Sequence, residues 1–315
     1  MRVLIFGANG YIGQRTVQRL VAEGHEVTGY VRSETAAATV RALGAGAVIA
    51  SLDDQAAVRD TMLAHDAAIW LAQLTLPEEK RVVGEYLRML KNTGKTFIFT
   101  GGTSVLSQLT KGEWADITFA ETDSIIPRAP LAIRAETEYV VRTAAQFGVR
   151  SIVARPPLVY GHGGCKVISD LYHSARSTGA ACYVGRGLNA YTTVHIDDLT
   201  QLFSLALARG RAGALYHCVG SEASFRGMAE AVARALGVGT RSVTLEEAQE
   251  IWGKFSATVT FGSSSRSRSP LARAELGWAP EPGRPDVLEE CANPAYAAES
   301  ERSLASWVNP TGAAG

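Results

Sequence analysis

The chain lacks long apolar runs, an excess of either charge, and paired cysteines. No stretch of about 18 consecutive apolar residues occurs in its 315 positions, so nothing reads as a bilayer-crossing helix and no membrane partner is expected. Its 31 Lys and Arg balance 31 Asp and Glu, which leaves no bulk field to attract nucleic acid or anionic lipid. Cys165, Cys182, Cys218 and Cys291 stand far apart with no CxxC pair, and read as reduced thiols of a cytoplasmic protein. The histidines and cysteines show no metal-ligand spacing, so no metal is expected. The opening MRVLIFGANG already reads as a strand entering a glycine turn, with no room before it for a secretory leader. These absences leave a soluble enzyme or binding protein acting on a small molecule.

What the sequence does contain is an alternation of β-rich runs and amphipathic segments. Strand-like Arg2–Phe6, His25–Val31, Ala47–Ala50, Ala67–Ala72 and Thr96–Thr100 alternate with helix-like Gln14–Glu23, Thr35–Leu43, Gln55–Ala64 and Pro77–Lys91. A helix over Leu131–Phe147 and a strand over Ser151–Ala154 extend the series. The alternation predicts an α/β fold, a doubly wound parallel sheet covered on both faces. After Arg155 the rhythm breaks. Prolines and glycines crowd residues 156–164, a hairpin-like stretch lies near Gly185–Thr193, and helices are expected over Ala223–Leu236 and Leu245–Trp252. Serine-rich Gly262–Pro270 reads as a flexible or ligand-ordered loop. The expected organisation is a nucleotide domain (1–160 and about 188–220), a smaller cap (about 161–187 and 221–291) and a frayed tail or partner arm (292–315).

Gly7-Ala8-Asn9-Gly10-Tyr11-Ile12-Gly13 is a GxxGxxG between a strand and a helix. The first glycine permits the tight turn, the second lets backbone N–H groups approach a pyrophosphate, and the third lets helix and strand pack closely. The positive helix end then faces the phosphates. The second strand ends Tyr30-Val31-Arg32-Ser33, with no acid until Glu34. A carboxylate there would bond the ribose 2′-OH of NAD, whereas Arg32 suits the 2′-phosphate of NADP and Ser33 adds a donor. NADP(H) is the expected cofactor.

Together these features resemble the extended short-chain dehydrogenase/reductase family, which includes sugar-nucleotide epimerases and dehydratases. Besides the glycine turn, the resemblance rests on Ser51-Leu52-Asp53-Asp54, Asp66-Ala67-Ala68-Ile69-Trp70-Leu71-Ala72 and Arg155-Pro156-Pro157-Leu158-Val159-Tyr160-Gly161. Val194-His195-Ile196-Asp197-Asp198-Leu199 and Leu276-Gly277-Trp278-Ala279-Pro280 complete it, so it spans almost the whole chain. It implies a Rossmann-type sheet with a smaller, mainly C-terminal α/β cap. It implies cofactor contacts from Ser51, Leu52, Leu71, Ala72, Gln73, Arg134, Pro157 and Leu158, and a homodimer through the helices over 77–91 and 131–147. Arg266 and Arg268 fall where sugar-nucleotide relatives hold a diphosphate.

The catalytic centre departs from that family. The serine that polarises the substrate oxygen is replaced by Gly102, followed by Thr103 and Ser104; register puts Arg134 in the lysine slot and Pro130 in the tyrosine slot. No tyrosine lies between Ile98 and Glu138. In the standard arrangement the lysine lowers a phenol from its usual ~10 so that it trades a proton near neutrality. Replacement catalytic candidates are Tyr160, Ser104 and His162. Gly102, Thr103, Lys166, Tyr172 and Tyr191 are candidates for the substrate pocket. The expected function is an NADPH-dependent reductase of a small carbonyl or imine, hydride passing from nicotinamide C4 without the Tyr–Lys relay. A redox-neutral isomerase, cyclase or epimerase, and a non-catalytic NADP-sensing regulator, stay open as alternatives.

Overall fold

The strands of the first half carry apolar side chains on both faces, and such strands stay dry only between two layers of helices. The computed structural model, which describes residues 1–296, builds that sandwich. The order is β1 (Arg2–Phe6), α1 (Tyr11–Ala22), β2 (Glu26–Val31), α2 (Glu34–Ala42), β3 (Gly46–Ile49), α3 (Gln55–Ala64), β4 (Ala67–Trp70), α4 (Leu76–Met89) and β5 (Thr96–Thr100). Then come β6 (Gln108–Leu109), α5 (Ala132–Thr143), β7 (Arg150–Arg155), β8 (Leu158–Tyr160), α6 (Lys166–Thr178), β9 (Ala180–Val184) and β10 (Ala190–His195). The chain continues with α7 (Ile196–Arg209), β11 (Leu215–His217), β12 (Ser221–Ser224), α8 (Phe225–Leu236), β13 (Gly239–Val243), α9 (Leu245–Ser256), β14 (Ser263–Ser264) and α10 (Val287–Glu290). The main sheet is parallel and seven-stranded, in the order β11-β7-β5-β4-β1-β2-β3. Val3, Ile5, Ile69 and Ile98 pack on Val17 and Leu20 of α1 and on Leu199 and Phe203 of α7. Their strand neighbours Leu4, Phe6, Trp70, Phe97 and Phe99 face the other way, onto Val82, Val83 and Tyr86 of α4.

A second core joins α6, α8, α9 and their strands through Ile168, Leu171, Phe225, Met228, Val232 and Phe261. The hairpin expected near 185–193 does not form. β9 pairs in parallel with β13, while β10 runs parallel to β8 and antiparallel to β12. Gly185 (φ +54) and Gly187 (φ +65) turn the chain from one sheet into another, and alternation along a strand does not name its partner. Residues 262–270 are not an open flexible loop: Ser263, Ser264, Ser265, Ser267 and Ser269 are all buried. Ser265 Oγ donates to Thr103 O at 2.7 Å, Ser264 Oγ accepts from Ala190 N at 3.0 Å, and Ser267 Oγ meets Thr192 Oγ1 at 2.9 Å. Polar composition misled because a hydroxyl is small enough to be satisfied inside. Of the expected tail, Tyr296 is fully buried with its hydroxyl on Glu290, and 297–315 lie outside the described residues. Among the described residues, no helix is long and apolar enough to cross a membrane.

A buried ion pair ties α5 to the sheet. Arg155 Nε lies 3.1 Å from Glu138 Oε2, and Arg155 Nη1 lies 3.3 Å from His217 Nε2 on the neighbouring β11. The His217 Nδ1–H donates to Arg268 O at 3.0 Å. Glu138→Ala strands the guanidinium in the interior and is expected to cost about 3–5 kcal/mol in chemical denaturation; a loss within error would show that the pair carries no stability. Burial, then Arg155, pushes His217 down to about 3. The unfolded chain takes up that proton near the usual ~6.5, so it binds more protons than the fold as pH falls through this window, and stability drops with it. His217→Gln is expected to flatten that decline between pH 7 and 4 in urea titrations; an unchanged slope would contradict the assignment.

Candidate functional site

The order of strands reverses between β1 and β4, and a crevice opens there at the carboxyl ends of the strands. A cleft of about 450 Å³ occupies it, a size typical of small-molecule sites. A larger hollow between α3 and α4, lined by Arg59, Arg81, Glu85 and Arg88 among others, offers charged side chains but no glycine cradle. The chemistry therefore singles out the smaller cleft.

Its floor is the turn between β1 and α1. Gly7 has φ +79, and a Cβ there would lie 2.6 Å from the Leu71 backbone. A Cβ on Gly13 would lie 2.1 Å from Gly7 O. Both positions are closed to any side chain by packing. Gly10 differs, since its Cβ would meet only Gly7 O at 3.4 Å and otherwise open space. Gly10 is also the N-cap of α1, with no side-chain cap and no acid in the first turn. The leading N–H groups and the positive end of the helix are thus left for an anion. This geometry fits a dinucleotide pyrophosphate, which Gly10 leaves room for.

Gly7, Asn9, Gly10, Tyr11, Ile12, Gly13, Arg32, Leu52, Leu71, Ala72 and Gln73 all line the cleft, and so does Lys166. Tyr30, Val31, Leu74, Val159, Gly164 and Ser169 also line it and were missed. Arg32 is exposed just past β2. Ser33 caps α2 through Oγ, accepting from Ala36 N at 3.3 Å, and Ser51 Oγ accepts from Asp53 N at 3.2 Å.

Several candidates stand elsewhere. In β8 the residue facing the cleft is Val159, whereas Pro157, Leu158 and Tyr160 are buried outside it. A one-residue change of parity on a strand moves a side chain to the opposite face. Tyr160 gives its hydroxyl to Pro285 O at 3.1 Å, and burial pushes the phenol up to about 12. Tyr191 donates to Val259 O at 2.8 Å and Tyr172 to Cys291 O at 2.9 Å. All three tyrosines are core residues whose protons serve the backbone. Arg134 Nε pairs with buried Glu79 at 3.2 Å and is not part of the cleft wall. Burial raises the Glu79 carboxyl, an effect Arg134 opposes. Gly102, Thr103 and Ser104 follow β5 outside the cleft. Thr103 is buried, with its N–H on Pro156 O at 3.0 Å. His162, exposed and at φ +54, turns Nε2 toward Asp197 Oδ2 at 3.1 Å. Arg266 stacks 4.2 Å over Trp114 and bonds Glu222 at 2.8 Å, so its guanidinium is engaged within the fold; Arg268 lies 3.7 Å from Asp123.

Comparison with known proteins agrees with this geometry. The model of the NAD dependent epimerase/dehydratase family matches residues 3–218. An uncharacterised protein of Schizosaccharomyces pombe is 31% identical over 94% of this chain and 100% of its own length. A 4-hydroxy-2-methyl-3-oxo-4-farnesyl-3,4-dihydroquinoline-1-oxide ketoreductase of Stigmatella aurantiaca is 26% identical over 69% of this chain and 67% of its own. The dTDP-glucose 4,6-dehydratase of Streptomyces venezuelae, solved with NAD, superposes with a TM-score of 0.75 at 20% identity, covering 96% of this chain and 98% of that one.

The two kinds of glycine give separable outcomes. Gly13→Ala forces a backbone shift and is expected to cost about 1–3 kcal/mol, read as a lower melting temperature. Gly10→Ala is expected to melt with the parent and to bind dinucleotide more weakly, because its methyl enters the cradle. Equal melting of both variants, or undiminished binding by Gly10→Ala, would contradict this division.

Proposed function

Because the chain belongs to the NAD dependent epimerase/dehydratase family, we propose that it is an NADPH-dependent reductase of a small organic carbonyl or imine. The supporting observation is the cleft itself. It runs from Arg32 across the glycine turn to the end of β4, while the slots of the phenol and amine relay hold Pro130 and Arg134. Reduced nicotinamide supplies a hydride from C4. Arg32 holds the 2′-phosphate of the adenosine half with a fixed charge and a planar fork of donors, and Ser33 adds a hydroxyl. The first turn of α1 holds the pyrophosphate, and Leu71, Ala72 and Val159 keep the nicotinamide side apolar. Oxidising an alcohol needs a base where this chain has Pro130, which disfavours sugar-nucleotide epimerisation. The ketoreductase name of one relative supports the direction of hydride flow.

The enzyme acts in the cytoplasm as a homodimer in this reading. Tyr139, 70% exposed on α5, stands beside a shallow hollow shared with Lys80 of α4, which suits a helix-to-helix contact between two copies.

Fluorescence titration tests the cofactor. Arg32→Ala is expected to weaken NADPH about 10–100-fold, the loss of one or two charge-assisted hydrogen bonds, with little change for NADH. Equal weakening of both, or tighter NADH binding by the parent, would overturn the role of Arg32. Turnover is tested by following nicotinamide absorbance with a panel of aldehydes, ketones, enones and cyclic imines. Consumption with at least one class is expected, whereas binding without consumption would overturn the reductase in favour of a regulator.

A further inference from the structure

A carbonyl that accepts hydride also needs a proton, and the cleft holds few groups able to give one. Tyr11 donates its hydroxyl to Gly161 O at 2.7 Å, and burial drives its phenol far above the usual range. Tyr30 donates to Ser51 O at 3.0 Å, and burial pushes it up to about 12. Ser169 hydrogen-bonds Cys165 O at 3.3 Å, and an alkyl hydroxyl is no acid at neutral pH. Asn9 and Gln73 carry amides. Arg32 stands at the adenosine end, beside Tyr30 and Val31, and a guanidinium is not a proton donor in such a step. Among the described residues, the remaining proton-bearing side chain of the cleft wall is the ammonium of Lys166.

Its placement is built into the fold. Lys166 is the first residue of α6, carried on the loop that follows β8. Tyr11 fastens that loop through Gly161 O, and a Cβ on Gly164 would lie 2.1 Å from the Tyr11 ring. The loop is therefore pressed onto the glycine turn, with Lys166 beyond the end of β8. Asp170, one helical turn on, holds the ammonium at 2.5 Å with a side chain only 16% exposed. Trp252 Nε1 in turn bonds Asp170 O at 3.0 Å, fixing that turn of α6 from α9. Among the described residues, the charged and titratable groups around this corner include Asp170 and His173 on α6, Tyr11 and Arg15 on α1, Asp197 on α7, Cys165, Glu290 of α10 and Tyr296.

We propose that Lys166 is the proton donor of the reduction and that Asp170 is its positioning residue. The inference rests on the reductase reading above and commits to a carbonyl acceptor. In the step, the dihydronicotinamide gives hydride to the carbonyl carbon, the C=O π pair moves onto oxygen, and that oxygen takes a proton from the Lys166 ammonium. An alcohol, oxidised nicotinamide and a neutral amine result, and water returns the proton to Lys166. The Asp170 carboxylate fixes where the ammonium stands at the head of α6.

The test uses the full chain, NADPH and whichever aldehyde or ketone of the panel the parent consumes. Lys166→Met is expected to lower kcat about 10²–10⁴-fold, the usual worth of a positioned acid, with the Kd for NADPH within twofold of the parent. Lys166→Arg keeps the charge without a transferable proton and is expected not to restore kcat. Asp170→Asn is expected to lower kcat about 10-fold, the worth of one charge-assisted hydrogen bond, with the Kd for NADPH unchanged, and Asp170→Glu to restore most of it. An undiminished kcat in Lys166→Met, full rescue by arginine, or an NADPH Kd that rises as far as kcat falls would overturn the donor while leaving the reductase intact. A kcat undiminished in Asp170→Asn, or not restored by Asp170→Glu, would overturn the positioning role. NADPH binding with no carbonyl consumed by the parent would overturn the reductase reading, and this inference with it.

Discussion

The whole arrangement depends on how closely the first turn approaches the end of β4. Gly7 at φ +79 brings its backbone so near Leu71 that a methyl group would overlap the peptide, and Gly13 brings α1 equally near Gly7. That contact sets the start of α1 against the strand ends and aims its positive end into the crevice where strand order reverses. The same elements carry the two large cores: α1 and α7 cover one face of the sheet, α4 the other. Packing and ligand binding are thus two consequences of one local constraint, with Gly10 alone left open to the cleft.

A second constraint lies beneath the end of β5. Gly101 lies against Glu138, where a Cβ would stand 2.2 Å from the carboxylate, and Glu138 is held by Arg155. The ground beneath the end of β5 is filled by a buried ion pair. On α5, Pro130 sits in a short 3-10 turn (Ala129–Leu131) before the helix proper begins, a place that suits its fixed φ and missing N–H. Arg134 turns to Glu79 instead of the cleft. With the α5 side occupied this way, it is α6 that brings Lys166 and Ser169 to the cleft wall.

Much of this was legible in the sequence because it is local. The turn at Gly7–Gly13 and the strands Arg2–Phe6 and Thr96–Thr100 are fixed by residue type and periodicity, and they stand where alternation placed them. What failed was non-local or a matter of parity. Tyr160 was assigned to the cleft because it belongs to a recognisable motif, yet its neighbour Val159 faces that way. The period of two was present in Leu158-Val159-Tyr160, with no marker of which face was inward. Tyr172 and Tyr191 were placed by proximity to the cap, but a phenol packs as readily into a core when a backbone carbonyl receives its proton. The serine run of 263–269 reads as flexible in the sequence for the same reason in reverse: its partners, Thr103, Ala190 and Thr192, are distant in sequence.

The central claim is that a 2′-phosphorylated dinucleotide lies across the glycine turn, its nicotinamide end lying between Val159 and the end of β4. A crystal structure of the complex with NADP tests it most directly. The account predicts the 2′-phosphate within hydrogen-bond distance of Arg32, the pyrophosphate on the first-turn N–H groups of α1, and the nicotinamide between Val159 and the end of β4. A dinucleotide bound elsewhere, or a tyrosine and lysine touching the nicotinamide together, would contradict it.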